Sequence, residues 1–417
     1  MIQMIGVAIM GFGIVGSGVA ELLDKNHTSI ASRAGEDIAL HRILDLRDFP
    51  DSPYADLLTK KFSSILEDRE IQVVVEAMGG LTPSFEYISA CLEAGKSVVT
   101  SNKELVAEKG DELLALAKAK NLNFLFEASV GGGIPILRPI AQCLAANAIT
   151  GIAGILNGTT NFILTKMKRE QMSFDDALAL AQSLGYAEHN PAADVDGIDS
   201  CRKICILASL AFGRHVYPRQ VRTQGIREIK PEDVAYATEA GAAVKLIASA
   251  VPLPGGRLDM IVAPMLVRGE SQLSTVDDVF NAILVRGDAT GDVVFYGKGA
   301  GKMPTASAVV ADVIDCVKHI AARKYLFWEP GCDGYVADSL DSAQRFFVRG
   351  VASFADTAQA AIRLSLGEIR TLRREGAVSG EIAFVTPEMT QRDLLAALER
   401  LADQFTPLSL FRVLDAE

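Results

Sequence analysis

The chain has 417 residues, 49% hydrophobic and 22% charged, a globular balance in a chain too long for one compact core. Its net charge of −11 and pI near 5.1, with no basic run to offset them, argue against a nucleic-acid partner. Six cysteines, at 91, 143, 201, 205, 316 and 332, show neither metal-knuckle nor CxxC spacing, so buried free thiols in a reducing cytosol are expected.

The first twenty residues carry no charge, yet they lack the basic start and cleavage pattern of a signal peptide. "IGVAIMGFGIVGSGVAELLDK" reads instead as strand, glycine turn and helix. Ile5, Val7 and Ile9 begin the strand, Gly11, Gly13 and Gly16 form G-x-G-x-x-G, and the helix runs from about Ile14 to Leu23. No other apolar run reaches the roughly 18 residues of a spanning helix, so a cytoplasmic protein without a membrane segment is expected. "IALHRILDL" is a second strand, ending at Asp45, and "IQVVVEAMGG" a third. "YISACLEAGKSVVTSNKELVA" supplies a helix, the strand "SVVT" and a loop holding Asn102 and Lys103, and "NFLFEASVGGGIP" a strand and a glycine loop. This alternation predicts an α/β fold built on a doubly wound parallel sheet.

The glycine turn has a specific physical reading. Gly11 permits a tight turn, Gly13 lets backbone approach a pyrophosphate, and Gly16 allows close helix packing at a positive dipole end. Gly11, Phe12, Gly13, Ile14, Val15 and Gly16 are therefore candidate cofactor contacts. Asp45, 29 residues past Gly16, is placed to accept ribose hydroxyls, and Arg47 to hold a 2′-phosphate. The choice between NAD and NADP stays open.

Beyond Pro135 the character changes. "ITGIAGIL" and "LDMIVAPMLV" are strand candidates, "GKGAGKMPTASAVVADVIDCVKHIAA" is a glycine loop opening a long helix, and "CDGYVADSLDSAQ" reads as a linker. From Arg345 the order is strand, helix, strand, strand, helix, strand, the ferredoxin-like βαββαβ pattern. Three parts are expected: a Rossmann dinucleotide-binding domain at 1–135, completed by about 300–330; a central α+β catalytic and dimerisation domain at 136–300; and a small domain at 345–417.

Between the first two strands of the central part lies "GYAEHNPAADVDGIDSCRK" (185–203). Asp199 and Lys203 fall one helical turn apart. An exposed pair of that kind contributes only about 0.3–0.5 kcal/mol and sits on a polar stripe. Here Ile206 and Leu210 continue the stripe, and Ile198, Cys201, Cys205 and Ala208 cover another face. The pair thus stands at the entry of a buried helix, where charges are costly unless a function retains them. Glu188, Asp194 and Asp196 line the approach and suit a substrate carrying an ammonium group, with Asp196 as the helix N-cap. His189 has no second histidine nearby, so no metal is expected there. His215 and His319 read as helix-end or surface residues, and Trp328 as a packing anchor.

Together "GFGIVG" (11–16), "SNKE" (101–104), "EASVGGGIPI" (127–136), "GILNGTTNFIL" (154–164), "LGYAEHNPAADVDGIDSCRK" (184–203) and "GKGAGKMPTASAVVADVID" (297–315) resemble the homoserine dehydrogenase family over nearly the whole chain. The resemblance implies NAD(P)-dependent, reversible oxidation of L-homoserine to L-aspartate 4-semialdehyde. It implies that Lys203 donates the proton to the aldehyde oxygen, and that Lys103 lies near nicotinamide and substrate. Glu188, Asp194, Asp199 and Thr159 would form the substrate set, with Gly185 and Gly301 approaching the cofactor. It further implies a sodium site made by the Glu127 carboxylate and the carbonyls of Val130, Gly132 and Ile134, and a homodimer or homotetramer.

The tail resembles an ACT regulatory domain. Its first loop, "VASFADTAQA" (351–360), has neither the Gly nor the Pro usual there, so assembly rather than threonine feedback is its expected role. The competing readings are a Rossmann oxidoreductase for another small amino-acid-derived alcohol and a catalytically silent amino-acid sensor. A sensor has no need of a lysine at a hydride site.

Overall fold

The computed structural model describes residues 4–322 and 326–414. It opens with β1 (Met4–Met10), which buries Ile5, Val7 and Ile9 on one face and Ala8 and Met10 on the other, as a strand covered by helices on both sides must. There follow α1 (Ile14–Lys25), α2 (His27–Ala34), β2 (Asp37–Leu44), β3 (Leu58–Thr59), α3 (Ser63–Leu66), β4 (Ile71–Glu76), α4 (Ser84–Glu93), β5 (Ser97–Thr100), α5 (Lys103–Ala119) and β6 (Phe124–Leu125). The six strands pair in parallel in the order β3-β2-β1-β4-β5-β6. That order reverses between β1 and β4, where doubly wound sheets open a ligand crevice at their carboxyl ends. Lys103 does not lie in a loop, as the sequence had suggested. The Asn102 side chain accepts the Leu105 N–H at 3.1 Å and caps α5, which makes Lys103 the first residue of that helix.

The central part comprises β7 (Ile149–Ile155), α6 (Gly158–Glu170), α7 (Phe174–Ser183), α8 (Ala192–Val195), α9 (Ile198–Phe212), β8 (Arg222–Thr223), α10 (Pro231–Glu239), β9 (Ala242–Pro252), β10 (Leu258–Arg268), β11 (Phe280–Gly287) and β12 (Gly291–Lys298). Then α11 (Lys302–Lys318) crosses back to the first sheet, burying Ala306, Val309, Val310 and Val313 in one core with Val7, Ile9 and Val19. Its crossing with α1 is close: a Cβ on Gly18 would stand 3.0 Å from the Ala306 methyl.

The tail contains β13 (Ala343–Gln344), β14 (Phe346–Val351), α12 (Ala355–Leu366), β15 (Arg370–Leu372), β16 (Glu381–Val385), β17 (Met389–Thr390), α13 (Gln391–Arg400) and β18 (Thr406–Leu414). Apart from the short β13–β17 pair, its strands do not form a sheet of their own. β18 pairs in parallel with β10, Met265 opposite Arg412, and the whole runs β12-β11-β7-β9-β10-β18-β14-β16-β15. Phe346, Val348 and Phe384 pack on one face with Ile362 of α12 and Leu394 and Leu398 of α13. On the other, Phe347 stacks on Phe411 and meets Tyr236 of α10.

Three local expectations are corrected. Asp196 does not cap α9, because Gly197, at φ +83°, intervenes as the cap; Asp196 instead ends α8 and pairs with Arg227 at 2.5 Å. Cys143 and Cys332 are exposed, while the other four cysteines are buried. His215 is not at the surface but buried, held between the Trp328 indole N–H and the Ala107 carbonyl, each at 3.0 Å.

Candidate active site

At the carboxyl end of β1 the chain itself requires two of the three glycines. Gly11 has φ +94°, and a Cβ on Gly16 would fall 1.9 Å from the Gly11 carbonyl oxygen. Gly13 differs: its Cβ would meet nothing nearer than Arg47 Nη2 at 3.9 Å. The free space lies at the first turn of α1, whose amides have no intrahelical acceptor, and it suits a phosphate pair. Phe12 is buried beneath the turn, Val15 is half-buried and Ile14 is exposed. The Phe12 N–H donates to Asp45 Oδ2 at 2.7 Å. Arg47 grips the same carboxylate in a fork, Nε to Oδ1 at 3.0 Å and Nη2 to Oδ2 at 2.8 Å. That fork, with the two backbone N–H bonds, holds the Asp45 carboxyl well below its usual range despite partial burial. Gly301, at φ +126°, caps α11 beside α1, where Lys302 pairs with Glu21 at 2.9 Å.

The second set of groups gathers where α5, α6 and α9 begin. Asp199 and Lys203 are 4% and 6% exposed, so their pairing is a buried one. Lys203 Nζ donates to Asp199 Oδ2 at 2.9 Å and to the Leu156 carbonyl at 2.7 Å. Lys103 Nζ, from the half-exposed start of α5, reaches Asp199 Oδ1 at 2.5 Å. Asp199 is thus a bridge between two lysines, and although burial opposes its charge, Lys203, Lys103 and Asn157 together hold its carboxyl below the usual range. For Lys203 the balance falls the other way. Burial lowers its pKa, Lys103 adds repulsion, and the attraction of Asp199 and Asp194 does not restore it.

Asp194, half-buried, has its pKa raised, first by burial and further by repulsion from Asp199. The structure therefore brings Lys103, Asp194, Asp199 and Lys203 together. Thr159 lies in the first turn of α6 and donates to the Tyr186 carbonyl at 2.6 Å, which fastens the loop containing Gly185 and Glu188. Gly185 has φ +74°, and Glu188 is exposed on that loop. Sequence reasoning missed Asn157, whose amide nitrogen bonds Asp194 Oδ1 at 2.6 Å and Asp199 Oδ2 at 2.9 Å. An Asn directly after a strand and before "GTTN" is an N-cap signal that points to the start of α6.

The triple-glycine loop nests against the loop before α11: a Cβ on Gly132 would stand 2.3 Å from the Gly299 carbonyl oxygen. Val130 and Ile134 are buried. The Glu127 carboxylate accepts three backbone N–H bonds, from Ile136 at 2.6 Å and from Leu137 and Arg138 at 2.8 Å. Both of its oxygens are engaged, so a cation bound there would compete with three amides.

A family model for homoserine dehydrogenase matches residues 135–314, and one for the homoserine dehydrogenase NAD binding domain matches residues 11–127. The chain is 39% identical to a homoserine dehydrogenase of Synechocystis, covering 95% of each chain. It is 40% identical to that of Bacillus subtilis over 76% of this chain and 73% of the relative. A solved homoserine dehydrogenase from Thiobacillus denitrificans superposes with a TM-score of 0.90 at 34% identity, covering 99% of both chains. A hyperthermophilic archaeal homoserine dehydrogenase in complex with NADPH superposes at 0.64 and 28% identity, over 78% of this chain and 100% of the other.

Proposed function

Since the chain belongs to the homoserine dehydrogenase family, it is an NAD(P)-dependent oxidoreductase that interconverts L-homoserine and L-aspartate 4-semialdehyde in threonine, methionine and isoleucine biosynthesis, and we propose how its residues divide that work. The bound nicotinamide supplies hydride exchange at the substrate's alcohol carbon. Lys203 is the acid in reduction and the base in oxidation. The observation that carries this is its anchoring: Leu156 and Asp199 accept two of its N–H bonds, and the third is left for the substrate oxygen. Lys103, at the N-terminus of α5, supports developing negative charge on that oxygen. Asp194, Asp199 and Glu188 receive the substrate ammonium, and Thr159 keeps the Glu188 loop against the site.

The open turn at Gly13 receives the pyrophosphate, Gly185 and Gly301 flank the cofactor, and Asp45 with Arg47 meets the adenosine ribose. A sodium ion would be held by the carbonyls of Val130, Gly132 and Ile134 with the Glu127 carboxylate, which would share its oxygens with three amides.

The organisation follows the same reading. Residues 1–135 with about 300–330 form the dinucleotide-binding domain, 136–300 the catalytic and dimerisation domain, and 345–417 an ACT-like domain. The tail's β18-β14-β16-β15 order supports the last of these. The protein acts in the cytoplasm, where reduced thiols persist, as a homodimer or homotetramer. No described helix is long and apolar enough to cross a membrane.

The test is the initial rate of homoserine-dependent reduction of NAD and of NADP, each measured for wild type and Lys203→Ala. The variant should lose about 10²–10⁴-fold in kcat with its cofactor KM unchanged. Full activity would remove Lys203 from the chemistry and leave Lys103 as the acid. The two wild-type rates rank the cofactors.

A further inference from the structure

Asn157 sits at the junction of β7 and α6, 5% exposed, with every polar atom of its side chain engaged. Its Oδ1 accepts the Thr160 N–H at 2.9 Å, which caps α6. That bond fixes which end of the amide is oxygen, so Nδ2 faces the acids. Its two hydrogens meet two carboxylates, Asp194 Oδ1 at 2.6 Å from α8 and Asp199 Oδ2 at 2.9 Å from α9. The residue before it supplies the carbonyl that accepts from Lys203 at 2.7 Å. One dipeptide, Leu156–Asn157, therefore touches Asp194, Asp199 and Lys203.

We propose that Asn157 is a positioning residue for this reaction: its amide holds Asp194 and Asp199 side by side, both ionised, at the spacing that receives the substrate ammonium. The inference rests on the site reading given above. The charged groups facing Asp194 show why a spacer is needed. From α5 comes Lys103 and from α9 come Asp199 and Lys203, but both lysines bond Asp199 and neither bonds Asp194. Asp194 thus faces a neighbouring carboxylate with the Asn157 amide as its one side-chain donor among the described residues. Without that amide the two acids repel, and Asp194, lacking a cation of its own, is the one that takes up a proton. A protonated Asp194 no longer attracts an ammonium, so homoserine affinity falls as pH falls, while the glycine turn that receives the cofactor is untouched.

Two variants separate this role from helix capping. Asn157→Ser keeps an oxygen that caps α6 but has no two-donor amide; Asn157→Asp keeps the cap and the shape but adds a third carboxylate. Both should bind NAD(P) as wild type does. Asn157→Ser should raise the homoserine KM at least about tenfold, by a factor that grows as pH falls, and Asn157→Asp should do so more strongly. A wild-type homoserine KM across the pH range in either folded variant overturns the inference. So does an equal loss of homoserine and cofactor affinity, which is the mark of a merely structural role. Lys203→Ala run alongside tells the two levels apart. If it stays active, the site reading itself fails; if it is inactive while Asn157→Ser behaves as wild type, only the positioning role does.

Discussion

Lys203 must hold a proton in one direction of the reaction and give it up in the other, and its surroundings set how readily it does so. The sequence exposes a conflict here, because a nearby Asp199 favours the ammonium and opposes use as a base. The structure resolves it through burial and Lys103, which together outweigh Asp199 and leave the lysine below its usual pKa. The sign of the pH dependence follows. Oxidation needs neutral Lys203, so kcat/KM for homoserine should rise with pH to a plateau whose midpoint lies below the ~10.4 of a free lysine. Reduction needs the ammonium and should fall across the same window. Rate profiles in both directions check this, and parallel profiles would count against a shared acid and base at this residue.

At the scale of elements, the site depends on how α5 meets α9, because one carries Lys103 and the other Asp199 and Lys203. The far end of α9 is fastened to the first half of α5 by a buried polar cluster. His215, just past α9, receives the Trp328 indole N–H on Nδ1 and gives its Nε2 proton to Ala107 of α5, while Tyr217 donates to Asp111 Oδ2 at 2.9 Å. This arrangement needs a neutral ring, and burial pushes the His215 pKa down. The unfolded chain binds the proton near ~6.5 and the folded one only at lower pH, so stability is lost as pH falls through that window. The thermal midpoint should drop between about pH 7 and pH 5.5, and His215→Asn should show a flatter slope. An unchanged slope would detach His215 from that pH dependence.

What could be seen beforehand follows the same division between near and far. The glycine turn and the Asp199–Lys203 pair were legible because their geometry is set within five residues by a turn or a helix. Asn157 lies 37 and 42 positions from the two carboxylates that it bonds, and His215 lies 113 from its tryptophan, so only the folded chain reveals these bonds. Asp196 shows the limit of local rules: it had the right residue type for a cap, but Gly197 took that place by adopting a left-handed backbone.

For the whole molecule, the sequence suggested a tail set apart by a linker, whereas its strands extend the central sheet. β18 covers one edge of β10, and Phe347, Phe411 and Val413 share a core with Tyr236 and Val234 of α10. Arg349 adds a buried ion pair to Asp233 of α10 at 2.6 Å. Deleting residues 345–417 would strip a strand edge and an apolar face at once, both of which promote aggregation. The shortened chain should therefore partition to the insoluble fraction on expression. A soluble, active product would show instead that the tail is an appendage.

The placing of β18 also bears on how the protein is made. It is the last of the described strands to be synthesised, yet it lies inside the sheet, between β10 and β14. The parallel β3-β2-β1-β4-β5-β6 sheet has all its strands early and can begin to assemble while translation continues, although α11 must arrive before its core is covered. The other sheet cannot close until the ribosome has delivered Thr406–Leu414. Until then β10, paired with β8 at Ile261 and Val262, waits with Met265–Val267 open on that edge, and the nascent chain depends on whatever shields them in the meantime.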